Sequence, residues 1–147
     1  MTDHRALGVE LFNRTWSLLE KNDRTADEDA ELIHCAHASA HHWLQIGTAA
    51  NRARSEWQCA RVHAVLGQSE QALYHARRCL RLVEEHPDEM DDWDLAAAYE
   101  ALARAHLAAG ESGEAARYAA LARDATAAIA DEEDRALIEA DLATIRV

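Results

Sequence analysis

The feature that most constrains this chain is that it repeats itself. Setting Ala60–Ala76 against Ala103–Ala119 gives identical residues at Ala60/Ala103, Arg61/Arg104, His63/His106, Gly67/Gly110, Ser69/Ser112, Ala72/Ala115 and Ala76/Ala119, always at an offset of 43. Self-similarity at a period of this size marks helical hairpins, each unable to bury its apolar face alone and therefore stacked on its neighbours. A stack of that kind leaves one long surface free for a partner. Composition agrees with helix: alanine, leucine and arginine abound, proline occurs once, and runs of Val, Ile and Thr are absent.

The expectation is an all-α chain of about seven helices in a single domain over 1–147. Three hairpins fall at about 5–45, 48–85 and 92–130, and a capping helix at about 132–145. Gly47 ends the second helix, Thr48 caps the third, and Gly67 and Gly110 break the chain inside the repeats. Ser69 and Ser112 then read as caps of the fourth and sixth helices. Pro87 and its acidic neighbours separate the second and third hairpins, and Asp131-x-x-Asp134 opens the last helix. That helix would cover the open end of the stack, as solenoids require.

Charge narrows the partners. A net charge of −12 argues against nucleic acid and anionic membrane. No stretch of about 20 apolar residues is present to span a bilayer. The opening Met1-Thr2-Asp3-His4-Arg5 lacks a basic region followed by an apolar core, so a cytoplasmic location is expected. Cys35, Cys59 and Cys79 are odd in number and sit in apolar helical stretches, which reads as buried, reduced thiols. Acidic blocks at 84–94 and 131–141, opposite a locally basic middle, make a homodimer conceivable.

Small residues stand where paired helices must touch: Ala60, Ala72 and Cys79 in one copy, Ala103, Ala115 and Ala122 in the next, with Gly67 and Gly110 at the turns. In this the chain resembles the tetratricopeptide repeat family. Ile33 and Ala36, one period before Ala76 and Cys79, would place the first two helices in a degenerate first repeat. Two features depart from the family: the period is 43 rather than about 34, and the usual aromatic after the first helix's small residue is missing. The chain also looks like small actinobacterial helical proteins, a likeness that brings no activity with it.

The resemblance implies a concave groove lined by the first helix of each hairpin, and with it a protein or peptide segment as partner. By position, Asn51, Arg54, Trp57 and Arg61 fall on that face of the third helix, and Glu100 and Arg104 on the fifth. Two arginines flanking a tryptophan can clamp a carboxylate or an extended peptide, since guanidinium binds in a fork and indole stacks. The alternative is that Trp57 lies in the core and the arginines pair with Glu56 or Glu100.

The second helix carries His34, His37, His41 and His42, with Ile33, Ala36, Ala40, Trp43 and Leu44 forming its expected buried face. His34, His37 and His41 lie along one edge, and the His37/His41 spacing of four residues suits a divalent metal or a small ligand. The competing reading has them bridging core and solvent. His63 and His106, placed equivalently by the period, read as packing residues. No Cys-x-x-Cys, phosphate loop, His-Glu-x-x-His or nucleophile elbow occurs, so the expectation is a non-enzymatic binding module with no cofactor.

Overall fold

A computed structural model describes residues 1–147 and contains seven α-helices and no strands. They are α1 (His4–Leu19), α2 (Ala26–Ile46), α3 (Ala49–Val65), α4 (Ser69–Glu85), α5 (Asp94–Ala108), α6 (Ser112–Ala127) and α7 (Glu132–Ala143), with a single 3-10 turn at Pro87–Glu89. No helix is long and apolar enough to cross a membrane. The most extensive contacts join α1 to α2, α3 to α4 and α5 to α6. Smaller ones link α2 to α3, α4 to α5 and α3 to α5, while α7 lies on α6 and α5.

Local chemistry sets the helix ends. Thr25 and Glu28 close a reciprocal capping box at the start of α2, and Thr48 and Asn51 close another at α3. Asp131 accepts from the Asp134 amide at the start of α7. Helices α3 and α5 end alike. Gly67 (φ 75°) and Gly110 (φ 76°) take the left-handed conformation, and the following amides, Gln68 and Glu111, donate to the carbonyls of His63 and His106 at 2.8 and 2.9 Å. A residue with a Cβ adopts that φ only at a cost, which is why glycine recurs at the offset of 43.

Two sequence expectations need correction here. Ser69 and Ser112 are not caps but the first helical residues, because Gln68 and Glu111 already accept from Ala72 and Ala115. The left-handed glycine delivers the chain into the next helix one residue early. On α2 Ala36 and Trp43 are buried as expected and Ile33 and Ala40 pack partly buried on the core, but Leu32, Cys35 and Ser39 are buried too and Leu44 is exposed. The reason is the close approach of α1. Ser39 Oγ donates to the Gly8 carbonyl at 2.7 Å, and a Cβ on Gly8 would sit 2.8 Å from Trp43 Nε1.

Between paired helices the contact positions are alanines with no exposed surface to speak of: Ala60, Ala72, Ala76, Ala103, Ala115, Ala119 and Ala122. Such small side chains allow helix axes to approach to roughly 8 Å. Larger side chains fill the ends of the core, with Leu18, Leu32 and Val62 at one end and Ile129, Ile138, Leu142 and Ile145 at the other. Cys35, Cys59 and Cys79 are buried free thiols. Burial pushes the Cys59 thiol up to about 12 and raises Cys35 and Cys79 as well, so none is poised as a nucleophile.

Candidate functional site

The inner face of the molecule is an apolar cavity of about 460 Å³. Phe12 and Trp16 of α1, Trp57 of α3, Trp93 and Ala97 at the start of α5, and Leu137, Ile138, Ala140, Asp134 and Asp141 of α7 line it. The first and last helices thus face each other across one concavity. Trp16 packs against Trp57 with ring centroids 5.4 Å apart, and Phe12 meets Trp16 edge-on at 6.5 Å. All three tryptophans keep part of their surface accessible, and Leu137 is 67% exposed at the rim.

The residues expected to form an arginine clamp surround this cavity, but each is held within the chain, and Arg61 Nε, which has no partner, is buried. Arg54 donates Nε and Nη2 to the buried Asp94 at 3.1 and 3.0 Å and Nη2 to Asp91 at 2.8 Å. Its guanidinium stacks on Trp93, 4.3 Å from the ring centroid. Asp94 in turn accepts from the Asp91 amide at 2.8 Å. Arg54 therefore fixes the acidic turn before α5 and seats Trp93 in the cavity wall.

Glu100, 1% exposed, is the hub of a second network. It accepts from Trp57 Nε1 at 3.2 Å, Arg61 Nη2 at 3.1 Å and Arg104 Nε at 2.8 Å. Arg104 also donates to the Asp141 carbonyl and to Thr144 Oγ1, which tethers α7 to α5. Arg61 reaches Asp141 at 3.3 Å and lies against the rings of Trp16 and Trp57. Asn51 is occupied by the cap of α3, its Oδ1 accepting from the Thr48 amide at 3.1 Å. Of the two flanking arginines Arg61 pairs with Glu100 as the alternative reading had it, whereas Arg54 pairs with Asp91 and Asp94, Glu56 is taken by His75 and Arg78, and Trp57 is only partly buried.

The cavity's remaining polar groups are acidic. Loss of water raises the Asp141 carboxyl, and Glu100 adds to the rise against the opposing pull of Arg61 and Arg104. Asp134 is raised as well, by partial burial and then by Asp131, Asp92, Asp91 and Glu133 around it. Its carboxylate makes no hydrogen bond or ion pair within the chain. A wall of three indoles with two destabilised carboxylates is complementary to an apolar group that carries positive charge.

Trp16 and Trp93 were not singled out in the sequence. The period relates Trp57 to Glu100 and Arg14, so it points past both. What was visible is that four tryptophans occur in a chain only 5% aromatic.

The histidines of α2 separate. His34 is exposed on the outer side, and its neighbour Glu31 is held by Arg14 at 3.0 Å. His41 stacks edge-on against His42, whose Nδ1 lies 2.9 Å from His4 Nδ1. His37 alone turns to α3 and α4, where it meets His63 and His75. The chain matches no known family model, no curated protein and no solved structure.

Proposed function

We propose that this chain is a non-catalytic interaction module, a short tetratricopeptide-like stack whose inner face takes up a basic peptide or protein segment. The observation that carries the reading is the cavity with three partly exposed tryptophans from three distant parts of the sequence, rimmed by carboxylates. Ligand sites are concave and mainly apolar with a few placed polar groups, and tryptophan concentrates binding energy at interfaces. The lining comes from α1, α3 and α5, the first member of each helical pair, together with α7, which supports the stacked-repeat reading.

Charge selects the partner. The arginines of the inner face are tied to Asp91, Asp94, Glu100 and Asp141, and the unpartnered Arg61 Nε is buried, so an acidic segment would meet no free guanidinium fork. Asp134 and its acidic neighbours favour lysine or arginine beside an apolar side chain that fills the cavity. An alkylammonium stem is suited to both demands, lying along the indoles with its charge toward the carboxylates.

The test uses two tryptophan-free peptides of equal length and leucine content, one rich in lysine and arginine, the other in glutamate. Protein tryptophan fluorescence reports binding. The basic peptide is expected to bind at least about tenfold tighter, with affinity falling as salt rises. Leu137→Arg, at an exposed position, should abolish that binding while leaving the melt unchanged. Equal binding of the acidic peptide, or wild-type affinity in Leu137→Arg, would overturn the proposal. Concentration-dependent self-association that shields the tryptophans from the peptide would replace it with a homodimer.

A further inference from the structure

We propose that His37, His63 and His75 form a binding site for a divalent transition-metal ion of the zinc type, separate from the tryptophan cavity. The three imidazoles come from α2, α3 and α4, and one ring nitrogen of each lies within 4.8 Å of the others. His37 Nε2 and His63 Nε2 are 2.9 Å apart, and the ring centroids are separated by 5.1 to 5.5 Å. Zinc binds imidazole nitrogen at about 2.0–2.1 Å, so tetrahedral ligands sit roughly 3.3 Å from one another. The observed separations bracket that value, and small ring rotations suffice to reach it.

The outer partners of two rings are already in place. His63 Nδ1 donates to Gln68 Oε1 at 2.6 Å, so its Nε2 lone pair accepts from His37 Nε2 at 2.9 Å, and a bound ion would take that lone pair and shift the His37 proton to Nδ1. His75 Nδ1 donates to Glu56 Oε2 at 2.6 Å, and Arg78 holds the other oxygen of that carboxylate at 3.1 Å. A carboxylate or carbonyl on the far nitrogen fixes tautomer and orientation and raises the basicity of the metal-facing nitrogen. His37 Nδ1 faces Cys59 Sγ at 4.0 Å. Three neutral nitrogens suit zinc, copper or nickel and leave a fourth position for water or an outside ligand.

The second repeat supplies an internal comparison. Advancing His37, Glu56, His63 and His75 by 43 residues gives Leu80, Tyr99, His106 and Tyr118. His106 stacks on Tyr118 at 5.4 Å with rings 7° from parallel, as His63 stacks on His75 at 5.5 Å and 5°. His106 Nδ1 also hydrogen-bonds Glu111, the counterpart of Gln68, at 3.2 Å. The fold thus asks for an aromatic stack at this place and obtains it with a single histidine. In the first copy three positions depart from that packing solution, and each departure adds a metal ligand or the carboxylate behind one.

The experiment titrates untagged, metal-stripped full-length protein with cobalt(II) and then displaces it with zinc(II). One equivalent is expected, with the visible bands of tetrahedral cobalt and a raised melting temperature on zinc addition. His37→Leu and His75→Tyr borrow the side chains of the other repeat, so they should fold and lose affinity at least about 100-fold. Glu56→Gln should weaken binding about 10–100-fold, and His41→Ala/His42→Ala should leave it unchanged. Absence of both the cobalt bands and the zinc-induced shift in wild type would overturn the site. So would wild-type affinity in His37→Leu or His75→Tyr, which would place the ion on the exposed histidines. If those variants fail to fold, imidazole NMR of the wild type decides. Zinc should perturb His63 and His75, and perturbation of His41 and His42 alone would refute the proposal.

Discussion

Glu100→Gln is the substitution most directly tied to the architecture. It preserves volume at a site with 1% exposure but leaves only one oxygen where there were two. Facing its remaining oxygen toward Arg61 and Arg104 turns the amide toward Trp57 Nε1, a donor meeting a donor. The hydrogen bond from Trp57 Nε1 to the carboxylate is lost, worth about 1–1.5 kcal/mol. Two ion pairs become hydrogen bonds from a charged donor to a neutral oxygen, a further loss of roughly 0.5–1 kcal/mol each. Arg61 keeps Asp141, and Arg104 keeps the Asp141 carbonyl and Thr144, so neither guanidinium is orphaned and the total stays near 2–3 kcal/mol. At about 2–4 °C per kcal/mol for a chain of this size, the melting temperature should fall by roughly 5–10 °C. Urea unfolding of wild type and variant measures the difference directly, and in a Trp57→Phe background the loss should shrink by about 1 kcal/mol. A loss below about 0.5 kcal/mol would refute the reasoning, because it would give the network the worth of a surface ion pair.

Two further predictions follow the same geometry. Gly67→Ala and Gly110→Ala put a Cβ into open space at φ near 75°, so each should cost only the left-handed penalty of about 1–2 kcal/mol. Denaturant midpoints differing by more than about 0.5 kcal/mol between the two would show that the repeats do not share this turn. Asp141 has its carboxyl raised on folding, so the favourable contribution belongs to the protonated form, is complete at low pH and disappears as pH rises through the folded value. Asp141→Asn should therefore be more stable than wild type at neutral pH and lose that advantage in acid, while binding the basic peptide more weakly. Lower stability of Asp141→Asn at neutral pH would mean that the Arg61 contact outweighs the desolvation.

Much of the fold is written in local signals. Gly47, Thr48, Gly67, Gly110 and Asp131 each act through a backbone conformation or a cap that needs no tertiary partner, and the helix ends they mark lie where the sequence puts them. Ser69 and Ser112 misled because residue type suggests a cap while the preceding glycine determines where the helix begins. Ser39 joins the buried side of α2 because Gly8, on another helix, approaches α2 at Ser39 and Trp43. The site is less legible for a stronger reason. Trp16, Trp57 and Trp93 converge through helix packing at separations unrelated to the period, and the period itself directs attention to Glu100. His63 is buried and stacked on its neighbour, as is its repeat partner His106. The informative positions were His75 and Glu56, where the repeat is broken by residues with different chemistry.

The alanine seam between the helices has a consequence for how such a chain can change. Adding even one methylene at Ala72, Ala76, Ala115 or Ala119 would push two axes apart, so those positions tolerate almost nothing. No alanine of that seam lines the cavity, and of the wall Phe12, Trp16, Leu137 and Ala140 belong to no buried cluster, whereas Trp57, Trp93, Ala97 and Ile138 pack on the seam's clusters. At Phe12, Trp16, Leu137 and Ala140 the shape of the inner face can therefore change without disturbing the packing that holds paired helices together. The facing surfaces of α1 and α7 can be altered alone, on a frame that need not move.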